Sequence, residues 1–155
     1  MHEAGALHLL PLIGEVFVPP LVLTELSTHA KNLLPDHLLG WARHQTLSAT
    51  AEQLSLSWKQ AGLLHGGEAE ALALANELKP DWFLTDDAAA RLIADALGIE
   101  AHGSLGVVLW AAANRLVKKT EAELFLAGLE SSSLWLSTRV RAEAHAALAK
   151  LYDSE

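Results

Sequence analysis

The sequence has 155 residues, of which 51% are apolar and 19% are charged, and its formal net charge is −8. This length and composition predict one domain with a sizeable core and exclude disorder. The excess of carboxylates argues against a protein whose main task is to grip phosphate backbones by charge, unless a bound metal reverses the field at the site.

The cellular compartment follows from residue usage. The chain has no cysteine, which excludes disulfides and thiolate metal sites and fits a cytoplasmic protein. No apolar run approaches the roughly 20 residues needed to cross a bilayer, and the first residues are too acidic for a secretory signal. We therefore expect a cytoplasmic protein with no membrane contact.

The first half of the chain predicts short elements broken by proline and glycine. Pro20 lies in the first turn of a predicted helix, a position that tolerates proline. The predicted elements are a helix over residues 4–12, a strand over 15–18, helices over 20–29 and 35–43, and one strand within 46–58.

The second half alternates strands and helices more clearly. A long helix follows Gly66 and Gly67, and Gly98 has the position of a helix C-cap. We predict helices over residues 68–78, 87–97, 104–116, 120–127 and 138–152, and strands over 82–85, 100–102 and 134–136. This alternation predicts an α/β fold with a mainly parallel sheet covered by helices.

Two adjacent carboxylates, Asp86 and Asp87, directly follow the buried-strand pattern Trp-Phe-Leu-Thr. In parallel sheets, ligands bind outside the carboxyl ends of the strands, where these aspartates fall. An aspartate at such a junction is also a common helix N-cap. One cap explains one aspartate, so the pair indicates something more.

Helical spacing separates the two glutamates at the start of the 68–78 helix. Glu70 lines up with Glu77, which predicts a solvent-facing side chain. Glu68 lines up with Leu72 and Ala75, which predicts that it points inward. The helix N-terminus by itself could stabilise such a charge.

Glu25 raises the same question, because its helical neighbours are apolar. It could reach solvent or pair with a Lys or His, or it could belong to a shared acidic pocket. Together, Glu25, Glu68, Asp86 and Asp87 predict a pocket whose mutual repulsion a Mg²⁺ or Mn²⁺ ion relieves. Such an ion can hold a phosphodiester and activate a water. The histidines show no zinc spacing, and no phosphate-binding loop or nucleophile elbow is present.

Four stretches of the chain, in order, resemble the PIN-domain ribonuclease superfamily, and most closely its VapC-like branch of uncharacterised PIN-like proteins. They are GEVFVPPLVLTEL (14–26), GGEAEALALANEL (66–78), LTDDAAARLIADALGI (84–99) and GSLGVVLWAAANRLV (103–117). The resemblance implies one PIN-like domain over residues 1–155, folded as a three-layer α/β/α sandwich. It also implies metal-dependent endoribonuclease activity, often as the toxin of a toxin–antitoxin pair.

The resemblance also assigns site residues. Glu25 matches the acid after the second strand, and Glu68 or Glu70 matches the mid-chain acid. The threonine–any–aspartate pattern of the family falls on Thr85, Asp86 and Asp87. This pattern favours Asp87 as the metal ligand and leaves Asp86 as a cap or an outer ligand. Ser104 matches a polar position near the site that could orient water or metal.

One part of the family pattern has no match. Members open with a central strand that carries an aspartate, whereas no aspartate occurs here before Asp36. The resemblance therefore predicts weakened Mg²⁺ binding and reduced nuclease activity. It also predicts that the sheet closes over the gap or that the mate in a homodimer fills it.

Two other interpretations compete with an impaired ribonuclease. One is a catalytically inactive PIN-like module that dimerises and binds a small basic antitoxin-like protein. The other, a phospho-acceptor receiver domain, expects an acidic pair after the first strand, which this sequence lacks. If RNA binds, basic residues would contact it, namely Arg91, Arg115, Lys118 and Lys119.

Overall fold

The structure of the protein is a computed structural model, which describes residues 1, 3–29 and 40–153. These residues form an α/β fold, as the alternation in the sequence predicted. After a 3₁₀ turn at Leu7–Leu9, the helices are α1 (Leu10–Ile13), α2 (Pro20–His29), α3 (Ala49–Gln60), α4 (Gly66–Leu78), α5 (Ala88–Ala96), α6 (Ser104–Ala113), α7 (Lys119–Ser131) and α8 (Thr138–Asp153). The strands are β1 (Val16–Val18), β2 (Ala42–His44), β3 (Phe83–Leu84) and β4 (Ala101–His102).

The strands are short, and each pairs with one other strand. β1 runs parallel to β2, with Val16 opposite Ala42 and Val18 opposite His44. An ion pair between Glu15 and Arg43 joins the same two segments. β3 pairs with β4, so the described strands form two two-stranded sheets.

Several helix and strand predictions are confirmed and three are wrong. The predicted 4–12 helix is confirmed only in part, because residues 4–6 lie outside the 3₁₀ turn and α1. The predicted strand within residues 46–58 is helix α3, because Ser48 caps it by accepting the Ala51 amide at 3.3 Å and Glu52 lies in the first turn. Residues 134–136 form no strand. Ala42 and Arg43 belong to a strand instead of the predicted 35–43 helix, of which residues 35–39 lie outside the described part of the chain.

The chain divides into two compact units, and the one spanning Gly14–Ala101 carries most of the predicted acidic site. Its central helix is α4, which packs against α2, α3 and α5. A buried apolar cluster joins α4, β3 and α5. Its members are Leu64, Ala69, Leu72, Ala75, Phe83, Ala90, Ala94 and Ile99.

The other unit consists of Met1–Ile13 and His102–Glu155. Helices α6, α7 and α8 pack together, and the N-terminal segment packs on them. Ala4 lies directly against Gly128 of α7, and the Glu3 carboxylate accepts the Ser133 amide at 2.7 Å. Within the described residues, no helix is long and apolar enough to span a membrane.

Candidate functional site

Glu25 lies on the N-terminus of α4. Its Oε1 accepts the Gly67 amide at 2.9 Å. A Cβ atom at Gly66 would lie 2.5 Å from Oε1, and a Cβ at Gly67 would come still closer to Oε2. The two glycines therefore let the carboxylate reach the amides of the helix start, which have no acceptor within the helix and where the helix dipole favours a negative charge.

Glu70 makes the reverse contact. Its Oε2 accepts the amide of Leu21, in the first turn of α2, at 3.1 Å. Thus α2 and α4 each present a carboxylate to the N-terminus of the other. The prediction that Glu70 faces solvent with Glu77 is wrong for Glu70, which is partly buried because α2 lies beside it. Glu77 is exposed and accepts the amide and hydroxyl of Ser48.

Glu68 lies in the first turn of α4 and is partly buried. The Glu25 carboxylate rests on the same helix end, so the fold brings these two predicted site residues to one place. The helix N-terminus stabilises both charges.

The aspartate pair lies at the junction of β3 and α5, and both side chains are exposed. Asp87 caps α5: its Oδ1 accepts the Ala90 amide at 2.7 Å, and its own amide donates to Thr85 Oγ1 at 3.1 Å. The capping role that the sequence offered to Asp86 thus falls on Asp87. A capping carboxylate keeps a second oxygen, so the ligand role of Asp87 remains a prediction.

The cap can be separated from the charge by mutation. Asp87→Ala should lower the free energy of unfolding by about 1 kcal/mol, because the Ala90 amide loses its acceptor. Asp87→Asn should cost less than half of that, because asparagine caps as well as aspartate. Urea denaturation of the two variants measures the difference. Equal losses would contradict a capping role for Asp87.

Ser104 begins α6, as the predicted 104–116 helix implied, and it is buried, which the sequence did not predict. Its hydroxyl oxygen lies 3.4 Å from the Met1 amino group. This residue belongs to the unit formed by Met1–Ile13 and His102–Glu155, whereas Glu25, Glu68, Glu70 and the aspartate pair belong to Gly14–Ala101.

The described residues do not fit a closed cation site. Among them, no group of three or more His, Cys, Asp or Glu side chains is arranged to hold a metal ion. The carboxylates have the hard oxygen atoms that Mg²⁺ prefers. However, Glu25, Glu70 and Asp87 each accept a backbone amide, so helix termini supply the positive partner that a cation would supply.

Sequence reasoning missed two parts of this arrangement. It placed Gly66 and Gly67 before the helix, whereas they are the first residues of α4 and leave space for the Glu25 side chain. It also missed the contact of Glu70 with Leu21. The glycine pair was the available signal, because glycine at a helix start permits close approach by another group. Nothing local identified Glu25 as that group.

One family of proteins matches almost the whole chain. The chain belongs to the PIN-domain family, which matches residues 1–150. The match includes all four stretches on which the resemblance rested, and the PIN-like α/β fold predicted from the sequence is confirmed. No curated protein and no solved structure matches the chain.

Proposed function

We propose that this chain is a metal-dependent endoribonuclease of reduced activity, from the VapC-like branch of the PIN superfamily, and by resemblance the toxin of a toxin–antitoxin pair. Membership of the PIN-domain family supports a nuclease-like function with RNA as the substrate class. Because the family match extends across both compact units, we propose that residues 1–155 act as one PIN-like domain.

The proposal rests on one observation, the placement of Glu25 on the helix end that carries Glu68. Two acids from separate helices at the N-terminus of α4 can supply some of the ligands of a Mg²⁺ or Mn²⁺ site. In this proposal Glu25, Glu68 and Asp87 are the catalytic and metal-binding acids, and Asp86 is a further ligand. Within the same unit, Glu70 and Thr85 are proposed to orient these acids.

The reduced activity follows from the same contacts. A cation would compete with the Gly67 amide for Glu25 and with the Ala90 amide for Asp87. Each such amide contact stabilises the fold by about 1 kcal/mol, which a metal must offset to recruit the carboxylate.

A Mn²⁺ titration combined with RNA cleavage tests the proposal. We expect Mn²⁺ to bind with a dissociation constant on the order of 1 mM, the weak end of carboxylate sites, and cleavage to be slow. Glu25→Gln and Asp87→Asn should abolish both while leaving the fold intact. The matched control is Glu123→Gln, because Glu123 is an exposed acid on α7 outside the proposed site.

Two results would change the conclusion. Turnover at about 1 s⁻¹ or faster, within the usual range of enzymes, would contradict the reduced activity. If the protein neither binds Mn²⁺ nor cleaves RNA at Mn²⁺ concentrations well above the expected dissociation constant, the nuclease proposal is wrong.

The second candidate is a catalytically inactive PIN-like protein-interaction module with a small, basic antitoxin-like partner. It is favoured by the net charge of −8 and by an exposed apolar side chain on the helix that follows the aspartates. Absent metal binding together with absent cleavage would favour this candidate.

A further inference from the structure

The segment between α7 and α8 holds a tryptophan out in solvent. Trp135 is 82% exposed. All five tryptophans of the chain lie in its described part, and the other four are half-buried. The neighbours Leu134 and Leu136 are also half-buried. The segment therefore covers part of these two leucines and projects the indole ring outward.

Hydrogen bonds hold the backbone on both sides of Trp135. Before it, the Ser133 amide donates to the Glu3 carboxylate at 2.7 Å. After it, Arg141 Nε donates to the Leu136 carbonyl oxygen at 3.1 Å. The exposed ring thus stands on a backbone that is fixed before any ligand arrives. Such preorganisation lowers the entropic cost of binding a group against the ring.

The same segment is positively charged, in a chain whose net charge is −8. Arg139 and Arg141 are the only charged residues between Glu130 and Glu143 in the sequence. Arg139 Nε lies 3.7 Å from Glu143 Oε1, and the two side chains are 83% and 65% exposed. Exposed pairs of this kind contribute little to stability. A phosphate can therefore take the place of Glu143 beside Arg139 at little cost.

An exposed aromatic ring next to an exposed arginine suits a single-stranded nucleic acid. Proteins bind such strands by stacking bases on aromatic side chains and by contacting the backbone with cations. Trp135 and Arg139 lie four residues apart, at most about 14 Å along the chain, so one short stretch of strand can reach both. A protein partner would instead favour a contiguous apolar patch. The exposed neighbours in sequence are polar, namely Ser131, Ser133 and Thr138.

We propose that Trp135 and Arg139 form a contact site for single-stranded RNA, in which one base stacks on the indole ring and the guanidinium group binds a phosphate. The choice of RNA as the ligand rests on the proposed function. The contact itself requires no metal. The site lies within the unit formed by Met1–Ile13 and His102–Glu155, whereas the candidate acids belong to Gly14–Ala101.

Fluorescence anisotropy of a labelled oligoadenylate of about 12 nucleotides, within the usual size of single-strand sites, measures the dissociation constant. EDTA in the buffer removes divalent ions, so that binding is measured without cleavage. Trp135→Ala should weaken binding about tenfold, whereas Trp135→Phe should retain part of the affinity because its ring still stacks. The matched control is Leu124→Ala, which shortens a 69% exposed side chain of the same unit and should bind like the wild type.

The salt dependence of binding isolates Arg139. For single strands, each phosphate contact contributes about 0.7 to the slope of log K against log salt concentration. Arg139→Gln should therefore reduce this slope by about 0.7. The control Lys150→Gln removes an exposed positive charge about three turns, or about 16 Å, further along α8. This distance exceeds the screening length of about 8 Å at 0.15 M salt, so the slope should not change.

Cleavage in the presence of Mn²⁺ is measured separately. Because the chemical step is expected to be slow, KM approximates the dissociation constant of the RNA. Trp135→Ala should therefore raise KM about tenfold and leave kcat unchanged. Glu25→Gln should abolish cleavage and leave the metal-free binding unchanged. If the wild type binds the strand through Trp135 but does not cleave it, the proposed ribonuclease activity is wrong and the contact site stands.

Three results would overturn the inference, provided that thermal melts show folded variants. The first is a wild type that does not bind the oligoadenylate at protein concentrations up to about 100 µM, the weak end of non-specific binding. The second is a Trp135→Ala variant that binds as tightly as the wild type, even if both cleave RNA. The third is equal affinity for an RNA hairpin, whose paired bases are not free to stack on the ring.

Discussion

Gly128→Ala is expected to destabilise the protein by about 2 to 3 kcal/mol, at the upper end of the usual cost of overpacking. Its new Cβ would lie 2.8 Å from the Cα, 3.0 Å from the Cβ and 3.2 Å from the carbonyl oxygen of Ala4. Two of these are backbone atoms, so rotation of a side chain cannot relieve the clash. Either α7 or the segment that contains Ala4 must move.

Gly106→Ala is the matched control for this substitution. Gly106 also lies within a helix of the same unit, but the nearest atom to its new Cβ is His102 Nδ1 at 3.6 Å, an ordinary contact. Because alanine favours the helix over glycine, this variant should be neutral or more stable by up to about 1 kcal/mol. Urea denaturation of both variants measures the contrast. Equal stabilities would mean that Ala4 does not pack against Gly128.

Gly67→Ala should lower the free energy of unfolding by about 1 to 2 kcal/mol, despite the higher helix propensity of alanine. The new Cβ would overlap Glu25 Oε2 and lie 3.0 Å from Val22 Cγ2. The Glu25 side chain can move aside only by giving up its hydrogen bond with the Gly67 amide.

A double-mutant cycle shows whether Glu25 is the cause. Glu25→Ala removes the carboxylate, so Gly67→Ala should cost at least about 1 kcal/mol less in that background than in the wild type. Chemical denaturation of the four proteins gives the coupling energy. If the two substitutions are additive, the loss arises from Val22 or from the helix itself, and the proposed contact between Glu25 and the start of α4 does not contribute to stability.

The sequence predicted elements well where local signals agreed with the fold. The Pro20–His29 helix and the junction of β3 with α5 lie where they were expected, because proline and Asp87 mark helix starts. It failed for α3, where alternating residues suggested a strand. Ala51, Leu54 and Trp58, spaced three and four apart after the Ser48 cap, were the better signal.

The prediction over residues 134–136 failed for another reason. Leu134, Trp135 and Leu136 are a short apolar run of the kind found in strands, but three residues do not specify a strand without a neighbour to pair with. Trp135 is 82% exposed there. Pairing partners are a tertiary property, which a short local pattern does not contain.

The candidate site was predicted in its residues but not in their contacts. Glu25 and Glu68 were singled out because acids occurred on apolar helix faces. The amide that binds Glu25 lies 42 positions further along the chain, and the amide that binds Glu70 lies 49 positions away. No periodicity spans such separations, so helical spacing placed Glu70 in solvent.

Glu25 of α2 contacts the start of α4, and Glu70 of α4 contacts the start of α2. These reciprocal contacts also affect how this part of the protein unfolds. If α2 leaves its position, both the Gly67 amide and the Glu70 carboxylate lose their partners at the same time. Fraying of either helix start is therefore thermodynamically tied to the other, and the two helices form one cooperative unfolding unit. The acids Glu25 and Glu68 are carried by that unit, so the candidate site is present only while both helices are folded.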